Sequence, residues 1–364
     1  MKIKIVGAGS IGNHLANAAR RLNWAVDLVD IDPAALDRAR NEIYPARYGS
    51  WDDAIGLFTS QAAPKVGYDI IAIGTPPDSH IPLGLDALDE CPRAILVEKP
   101  VCTPDLEGAD QLRMKAKANN CQAFVGYDHV VGTAAQRFCE LIGNGLVGDA
   151  LTLDVEFREH WGGIFAAHPW LSGPSDSYLG FWRRGGGAAG EHSHAFNLWQ
   201  HFSHRLGQGR ICRVTANLDY VKSAGLEYDS LCCANLETES GFMGRVVQDV
   251  VTRPARKWAR LQGSKGSVEW DCGYEPGKDA VMFSDANGNV AVETFAKTRP
   301  DDFILELRHI SAAMDDDTGT SPLLLERGLD TMMVIAASHH STHTRRCVEI
   351  DWSQGYSINA LKVG

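Results

Sequence analysis

The chain opens Lys2-Ile3-Lys4-Ile5-Val6-Gly7-Ala8-Gly9-Ser10-Ile11-Gly12, and this stretch decides the fold. Lys2 to Val6 reads as a strand, and a helical pattern carried by Leu15, Ala18 and Ala19 follows the glycines. A second strand, Ala25 to Val29, ends at Asp30. The glycines thus form G-x-G-x-x-G between a strand and a helix. In that setting the first glycine permits the tight turn, the second lets backbone approach a pyrophosphate, and the third lets helix pack on strand. The helix N-terminus directs N–H groups at phosphate. Asp30, near the ~20-residue spacing expected of the ribose-binding acid, would accept from the ribose hydroxyls. Gly7, Gly9, Ser10, Ile11, Gly12, Asp30 and Ile31 are the expected cofactor residues. The alternative is a glycine turn with no ligand. NAD is favoured over NADP, because a carboxylate repels a 2′-phosphate and Ile31-Asp32-Pro33 offers no arginine to hold one. Asp32, before Pro33, suits the cap of the next helix better than Asp30 does.

The alternation continues. Pro33 to Arg40 reads as helix, a short strand is expected near Arg47-Tyr48, and a helix from Trp51. Tyr68 to Gly74 reads as a buried strand running into Thr75-Pro76-Pro77-Asp78-Ser79-His80, with a helix from His80 to about Leu88. Ile95-Leu96-Val97-Glu98-Lys99-Pro100 ends a strand from Arg93 at a rigid turn. Thr103-Pro104-Asp105 opens a helix to about Asn119, and Gln122 to Gly126 is the last strand. Strands alternating with helices imply an α/β Rossmann domain, a doubly wound parallel sheet, over residues 1–128. Ligands bind beyond the carboxyl ends of such strands, where Lys99 stands. A lysine there can handle a proton.

After Asp128 the period changes. Ala134 to Ile142 reads as helix, followed by strands at Thr152 to Glu159, Cys212 to Val221, Ser230 to Glu237 and Phe242 to Val251. Glu239-Ser240-Gly241 and Asn287-Gly288 signal hairpins. Residues 129–364 are expected to form an α+β domain with a large mostly antiparallel sheet for substrate binding and oligomerisation, giving a homodimer or homotetramer.

Composition bounds the function. The 364 residues are 44% hydrophobic and 22% charged, with a net charge of −11. That is an ordinary globular balance and argues against nucleic acid as the main partner. No apolar run reaches the ~18 residues of a membrane span, and the N-terminus lacks the apolar core of a signal peptide. The nine cysteines show no C-x-x-C pair, so reduced thiols in a cytoplasmic protein are expected, not a disulfide framework or zinc site.

A second constellation is Gly185-Gly186-Gly187-Ala188-Ala189-Gly190-Glu191-His192-Ser193-His194. Glycines let backbone approach a ligand closely. A helix is expected from about Ala189, on which Glu191 and His194 share a face. Such a histidine can be a general acid or base, oriented by the carboxylate. His192 is the competitor, and spacing favours His194. His192 and His194 do not share a helical face, so no metal is expected. Between residues 160 and 184 lies a loop with His160, Trp161, His168, Pro169, Trp170, Asp176, Tyr178, Trp182, Arg183 and Arg184. It reads either as a substrate lid, with aromatics on sugar faces and polar groups on hydroxyls, or as a loop packed on its own domain or a neighbouring subunit. His168, Trp170 and Arg183 are its candidate substrate residues.

Gly7-Ala8-Gly9-Ser10-Ile11-Gly12, Thr75-Pro76-Pro77-Asp78-Ser79-His80 and Glu98-Lys99-Pro100, in this order and at these intervals, resemble the Gfo/Idh/MocA family, named for glucose-fructose oxidoreductase, inositol dehydrogenase and a rhizopine-catabolism protein. The resemblance implies that Glu98-Lys99-Pro100 is the signature, with Lys99 beside the nicotinamide and its bond to Pro100 often cis. It implies that Thr75, Pro76 and Pro77 border the cofactor and that His80 starts the adjoining helix; geometry alone makes His80 a helix-start residue without catalytic role. The family's usual Asp-x-x-x-His departs here to Glu191 and His194, and its Gly-Tyr-Asn to Gly126-Tyr127-Asp128. The implied function is NAD-dependent hydride transfer at a secondary hydroxyl or carbonyl of a sugar, cyclitol or sugar derivative. Lys99, His194 and Glu191 are the expected catalytic residues, and Tyr127, Asp128 and Glu191 position substrate. The alternatives are a redox-neutral NAD-using sugar enzyme and a non-catalytic dinucleotide-binding regulator.

Overall fold

The computed structural model describes residues 1–364 apart from Ala167, Pro169, Ala224, Asp317 and Thr318. Pro169, a member of the 160–184 loop, therefore lies outside the described residues. In chain order the elements begin β1 (Lys2–Val6), α1 (Ser10–Arg21), β2 (Ala25–Asp30), α2 (Pro33–Arg38), α3 (Tyr44–Tyr48), β3 (Ile55–Thr59), β4 (Ile70–Ile73), α4 (His80–Asp89), β5 (Ala94–Val97), α5 (Ala109–Ala118) and β6 (Gln122–Val125). Then come α6 (Thr133–Gly143), β7 (Ala150–Arg158), α7 (Gly162–Ala166), α8 (Gly187–Glu191), α9 (His194–Arg205), β8 (Ile211–Ser223), β9 (Leu226–Thr238) and β10 (Met243–Asp249). The chain closes with β11 (Arg256–Gly263), β12 (Ser267–Glu275), β13 (Lys278–Ser284), β14 (Val290–Ala296), α10 (Arg299–Ala313), α11 (Leu325–Thr344), β15 (Val348–Ile350) and β16 (Leu361–Val363).

These fall into two compact units. The first comprises 1–102, 108–128 and 299–328; the second comprises 103–107, 129–298 and 329–364. Residues 299–328 thus belong with the nucleotide-binding sequence and not with the sheet that precedes them. The reason is apolar: Phe303, Leu307 and Ile310 are buried, and the Phe303 ring stacks on His14 of α1 at 4.7 Å.

In the first unit six parallel strands are ordered β3-β2-β1-β4-β5-β6. Ile3, Ile5, Ile70, Ile73, Ile95, Leu96 and Val97 are wholly buried. A parallel strand covered on both faces has no polar side to alternate with, which is why these strands read as apolar runs. The strand order reverses between β1 and β4, the point where open α/β sheets bind ligands.

Two local expectations fail. Tyr44–Tyr48 is helical rather than extended, and Ile55–Thr59 is a strand where a helix was expected. Pro45 in the first helical turn fits a helix start, and Tyr44 at one end packs edge-on against Tyr48 and Trp51. The helix expected from Thr103 begins at Ala109; Asp105 instead accepts from Thr103 Oγ1 and Glu107 N, making a turn of the segment.

The second unit holds, among the described residues, a ten-stranded sheet ordered β14-β13-β12-β11-β7-β10-β9-β8-β15-β16, antiparallel except where β10 pairs β7. On β7, Leu153, Val155 and Phe157 are buried and alternate with polar residues. The buried face is covered by α6 and α9, whose Phe138 and Phe202 stack at 4.0 Å, and Trp199 donates to the Leu153 carbonyl at 2.8 Å. The other face carries cross-strand ion pairs, Arg245–Asp154 at 3.1 Å and Arg213–Glu237 at 2.9 Å.

Truncating Leu307 to Ala, on the buried face of α10, is expected to destabilise the first unit by about 2–5 kcal/mol, read as a lower urea midpoint.

Candidate cofactor and active site

The glycine loop is built by close contact. Gly7 donates to the Val29 carbonyl at 2.7 Å, and Gly74 donates to Val6 at 2.8 Å. These bonds fix the ends of β1, β2 and β4 together. Gly7 has φ +106°, a conformation only glycine adopts without strain. A Cβ on Gly12 would lie 1.9 Å from the Gly7 carbonyl oxygen, so α1 can start here only with glycine. A Cβ on Gly9 would meet nothing within 4 Å. The three glycines therefore do what the motif requires: a turn, an open approach and a helix contact. Asp30 accepts from Ala8 N at 2.8 Å and from Asp32 N at 2.9 Å, so it ties the loop to the end of β2. Asp32 is the cap of α2, accepting from Ala34 N. Ile31 is 86% exposed, an apolar side chain standing open beside that acid. Ser10 opens α1, and its carbonyl accepts from the Arg47 guanidinium at 3.0 Å. These residues fit a bound dinucleotide: an uncovered backbone approach at Gly9, helix N–H groups behind it and a carboxylate at the next strand end.

The β4 and β5 loops are locked to each other by His80. It is wholly buried, with Nε2 2.7 Å from the Thr75 carbonyl and Nδ1 2.9 Å from the Pro100 carbonyl. Burial lowers its basicity, against the two carbonyls, which raise it. His80 thus joins Thr75-Pro76-Pro77 to Glu98-Lys99-Pro100 from beneath. Thr75 Oγ1 lies 2.7 Å from Ser79 Oγ, which donates to the Pro76 carbonyl. The Lys99–Pro100 peptide is cis. Lys99 follows β5 directly, and Glu98 beside it is buried. Burial first, then Asp128, pushes the Glu98 carboxyl up to about 8. Tyr127 and Asp128 follow β6 and are 1% and 5% exposed.

In the second unit the expected single helix is two. α8 ends at Glu191 and α9 starts at His194, with His192 and Ser193 between. The glycine run that precedes them receives protein, not open space. A Cβ on Gly187 would lie 2.0 Å from Asp229 Oδ1, and one on Gly186 2.1 Å from the Tyr178 carbonyl. Asp229 accepts from Ala189 N at 2.7 Å, and burial pushes its carboxyl up to about 8. Glu191 accepts from the Tyr178 hydroxyl at 3.3 Å. His192 is buried, with Nε2 3.4 Å from the Glu159 carbonyl. His194 is half-buried and stacks on Phe157 at 6.0 Å. The His129 ring meets it edge-on at 4.7 Å. Sequence reasoning missed His129; the signal was a histidine directly after Asp128, where the strand pattern ends.

The 160–184 loop divides. Trp161 is buried with Leu179, Ala188 and Val250, and its ring lies 4.6 Å from Tyr228. Trp182 is buried and stacks on His339 at 4.4 Å. These two pack on their own unit. Trp170 is 37% exposed, with the His168 ring 5.1 Å away, and His168 Nδ1 faces the Ile164 carbonyl. Arg183 is exposed and lays its guanidinium over Trp182 at 4.2 Å.

The fold and the glycine loop of the first unit are those of a dinucleotide-binding Rossmann domain. Residues 1–127 match the GFO_IDH_MocA family model, described as an oxidoreductase family with an NAD-binding Rossmann fold. Solved structures with the same fold include an NAD-binding oxidoreductase from Klebsiella pneumoniae, 18% identical over 96% of this chain and 98% of that one, with a TM-score of 0.76. An aldose-aldose oxidoreductase from Caulobacter crescentus in complex with glycerol is 19% identical over 96% and 99%, TM-score 0.76. An oxidoreductase from Agrobacterium radiobacter in complex with NAD+, L-tartaric acid and magnesium is 16% identical over 96% and 98%, TM-score 0.75. No curated protein matches at a significant level. Among the described residues no helix is long and apolar enough to cross a membrane.

Gly9→Val, where a Cβ meets nothing within 4 Å, should keep the far-ultraviolet circular dichroism of the wild type but weaken NADH binding at least tenfold, about 1.4 kcal/mol, in a fluorescence titration. Unchanged affinity would place the dinucleotide elsewhere.

Proposed function

We propose that this protein oxidises a secondary hydroxyl of a sugar, cyclitol or related polyhydroxy compound with NAD+, or runs the reverse reduction. The observation that carries the reading is Lys99 at the carboxyl end of β5, in the same parallel sheet as the open glycine loop and tied to the Thr75 turn through His80. A cation at that sheet end is suited to hydrogen-bond a substrate oxygen and stabilise negative charge on it. Two solved relatives, one complexed with glycerol and the other with L-tartaric acid, support a polyhydroxy substrate.

NAD+, when bound, supplies the hydride acceptor. The chain supplies the rest. Gly7, Gly9, Ser10, Ile11 and Gly12 would hold the pyrophosphate, with Asp30 on the ribose and Ile31, Thr75, Pro76, Pro77 and Glu98 bordering the cofactor. Lys99 donates to the reacting oxygen, and His194 takes its proton; an imidazole is the side chain whose ordinary ionisation suits that task near neutrality. Glu191 and Asp128 set polarity around the substrate, and Trp170 and His168 offer an exposed aromatic face to sugar C–H groups. The ion-paired face of the large sheet is our candidate for self-association. Sedimentation of the wild type as a dimer or tetramer, and of Arg213→Glu as a smaller species, would support it; monomeric wild type would discard it.

Lys99→Ala and His194→Ala are each expected to bind NADH within about threefold of wild type, an effect under ~1 kcal/mol. Each should lose at least about 100-fold in turnover, followed as NADH absorbance against a panel of sugars, inositols and sugar acids. Stoichiometric NADH supports a dehydrogenase. Product without released NADH would mean redox-neutral chemistry, and binding without product a regulator. Near-full activity in both variants would remove the residue assignments.

A further inference from the structure

α8 cannot cap itself. The first amides of a helix have no partner within it, and a serine, threonine, aspartate or asparagine just before them ordinarily supplies one. Here that position is Gly186, and a Cβ there would lie 2.1 Å from the Tyr178 carbonyl oxygen. A capping side chain has no room. The acceptor comes instead from β9, where Asp229 Oδ2 takes the Ala189 N–H at 2.7 Å. The Ala189 carbonyl is held from β10, where Gln248 Nε2 donates to it at 3.1 Å. Both side chains are 0% exposed, and they stand on paired strands, with Gln248 opposite Cys232 of β9. One residue of the glycine-rich turn is therefore gripped at its N–H and at its C=O by two strands of the large sheet.

From Ala189 the grip passes along the backbone. His192 N donates to the Ala188 carbonyl at 3.0 Å, Ser193 N to Gly190 at 3.2 Å, and Ala195 N to His192 at 2.9 Å. These bonds carry the chain from the turn past Glu191 into the start of α9, where His194 stands. A helix of five residues is far too short to hold its own shape in water, so its far end stands where its anchors put it. The turn also has no slack. A Cβ on Gly187 would lie 2.0 Å from Asp229 Oδ1, and one on Gly190 2.0 Å from the Gly185 carbonyl oxygen. Removing the Asp229 carboxyl would leave the Ala189 N–H buried without its acceptor and open space beside Gly187. The turn would then have both a reason to move and the room to do so.

We propose that Asp229 and Gln248 are positioning residues, which fix where Glu191 and His194 stand by clamping the Ala189 peptide to β9 and β10. The clamp itself rests on the hydrogen bonds above. Its consequence for turnover rests on the proposed role of His194.

The test uses Asp229→Ala, Gln248→Leu, the double variant and Asp229→Asn, each in the full chain. The first measurement needs no substrate: amide hydrogen exchange over residues 188–196, followed by mass spectrometry. Exchange there should be at least about tenfold faster in the double variant, with peptides of the first unit unchanged. Asp229→Ala should show part of this increase. Asp229→Asn, which keeps an oxygen acceptor on a side chain of the same shape, should stay near wild type. Unchanged exchange over 188–196 in the double variant overturns the clamp. Should that variant fail to fold, Asp229→Ala decides by the same criterion. The second measurement is turnover per folded molecule. In Asp229→Ala, kcat should fall at least about tenfold, as a small displacement of a catalytic group can cause. NADH affinity should stay within about threefold of wild type, and Asp229→Asn should recover most of the rate. A lower urea midpoint with unchanged kcat and KM would make both residues merely structural and overturn the positioning role. If His194→Ala keeps near-full activity, or no polyol is oxidised, the proposed reaction fails and the positioning role with it, while the exchange series still decides the clamp.

Discussion

The fit of Gly12 against the Gly7 carbonyl is the constraint on which the first unit turns. No side chain can stand between them, so α1 begins hard against the end of β1 and its free N–H groups meet the opening at Gly9. The bond from Gly74 to Val6 brings β4 to the same level, and β5 pairs with β4. The loops after β1, β4 and β5 therefore converge on one edge of the sheet. His80 extends the arrangement by holding the β4 and β5 loops through two carbonyls. A cofactor edge made chiefly of backbone has few side chains to adjust, and it keeps its shape because strands that are wholly buried cannot slide.

The parts of this design that were legible in the sequence are those where backbone geometry restricts residue type. G-x-G-x-x-G, the apolar runs of parallel strands, the cap at Asp32, the hairpin turn at Gly241 and the alternation of β7 all act locally, and each left a local mark. The failures share another cause. Tyr44–Tyr48 and Ile55–Thr59 were exchanged because short segments carry too little periodicity, and aromatic packing on Trp51 decided the first. The glycines before Glu191 were read as space for a ligand, but Asp229 and the Tyr178 carbonyl, distant in sequence, fill it. The break at His192-Ser193 left no signal in spacing.

The candidate site was legible to a different degree on its two sides. The loop and Lys99 follow from motif and strand end. The surroundings of His194 do not, because His129 reaches it only through tertiary packing. The 160–184 loop was open between lid and packed segment, and residue by residue it is both: Trp161 and Trp182 are core, while Trp170 and Arg183 meet solvent. Glu306 of α10, wholly buried among Phe303, Leu307 and Ile310 on that helix, passed unnoticed because an acid inside an apolar stripe reads as a surface position in the sequence.

The first unit is discontinuous in sequence, since residues 299–328 return to it after the whole of the large sheet has been laid down. During translation the six strands leave the ribosome long before α10 does. For that interval the flank of α1 that packs Phe303 is uncovered. A nascent chain can therefore assemble the nucleotide loop early but covers that flank only when synthesis is nearly over. Expressed alone, a fragment ending at Asp128 would present the dinucleotide loop without α10. In this protein the order of the gene and the order of the fold are different things.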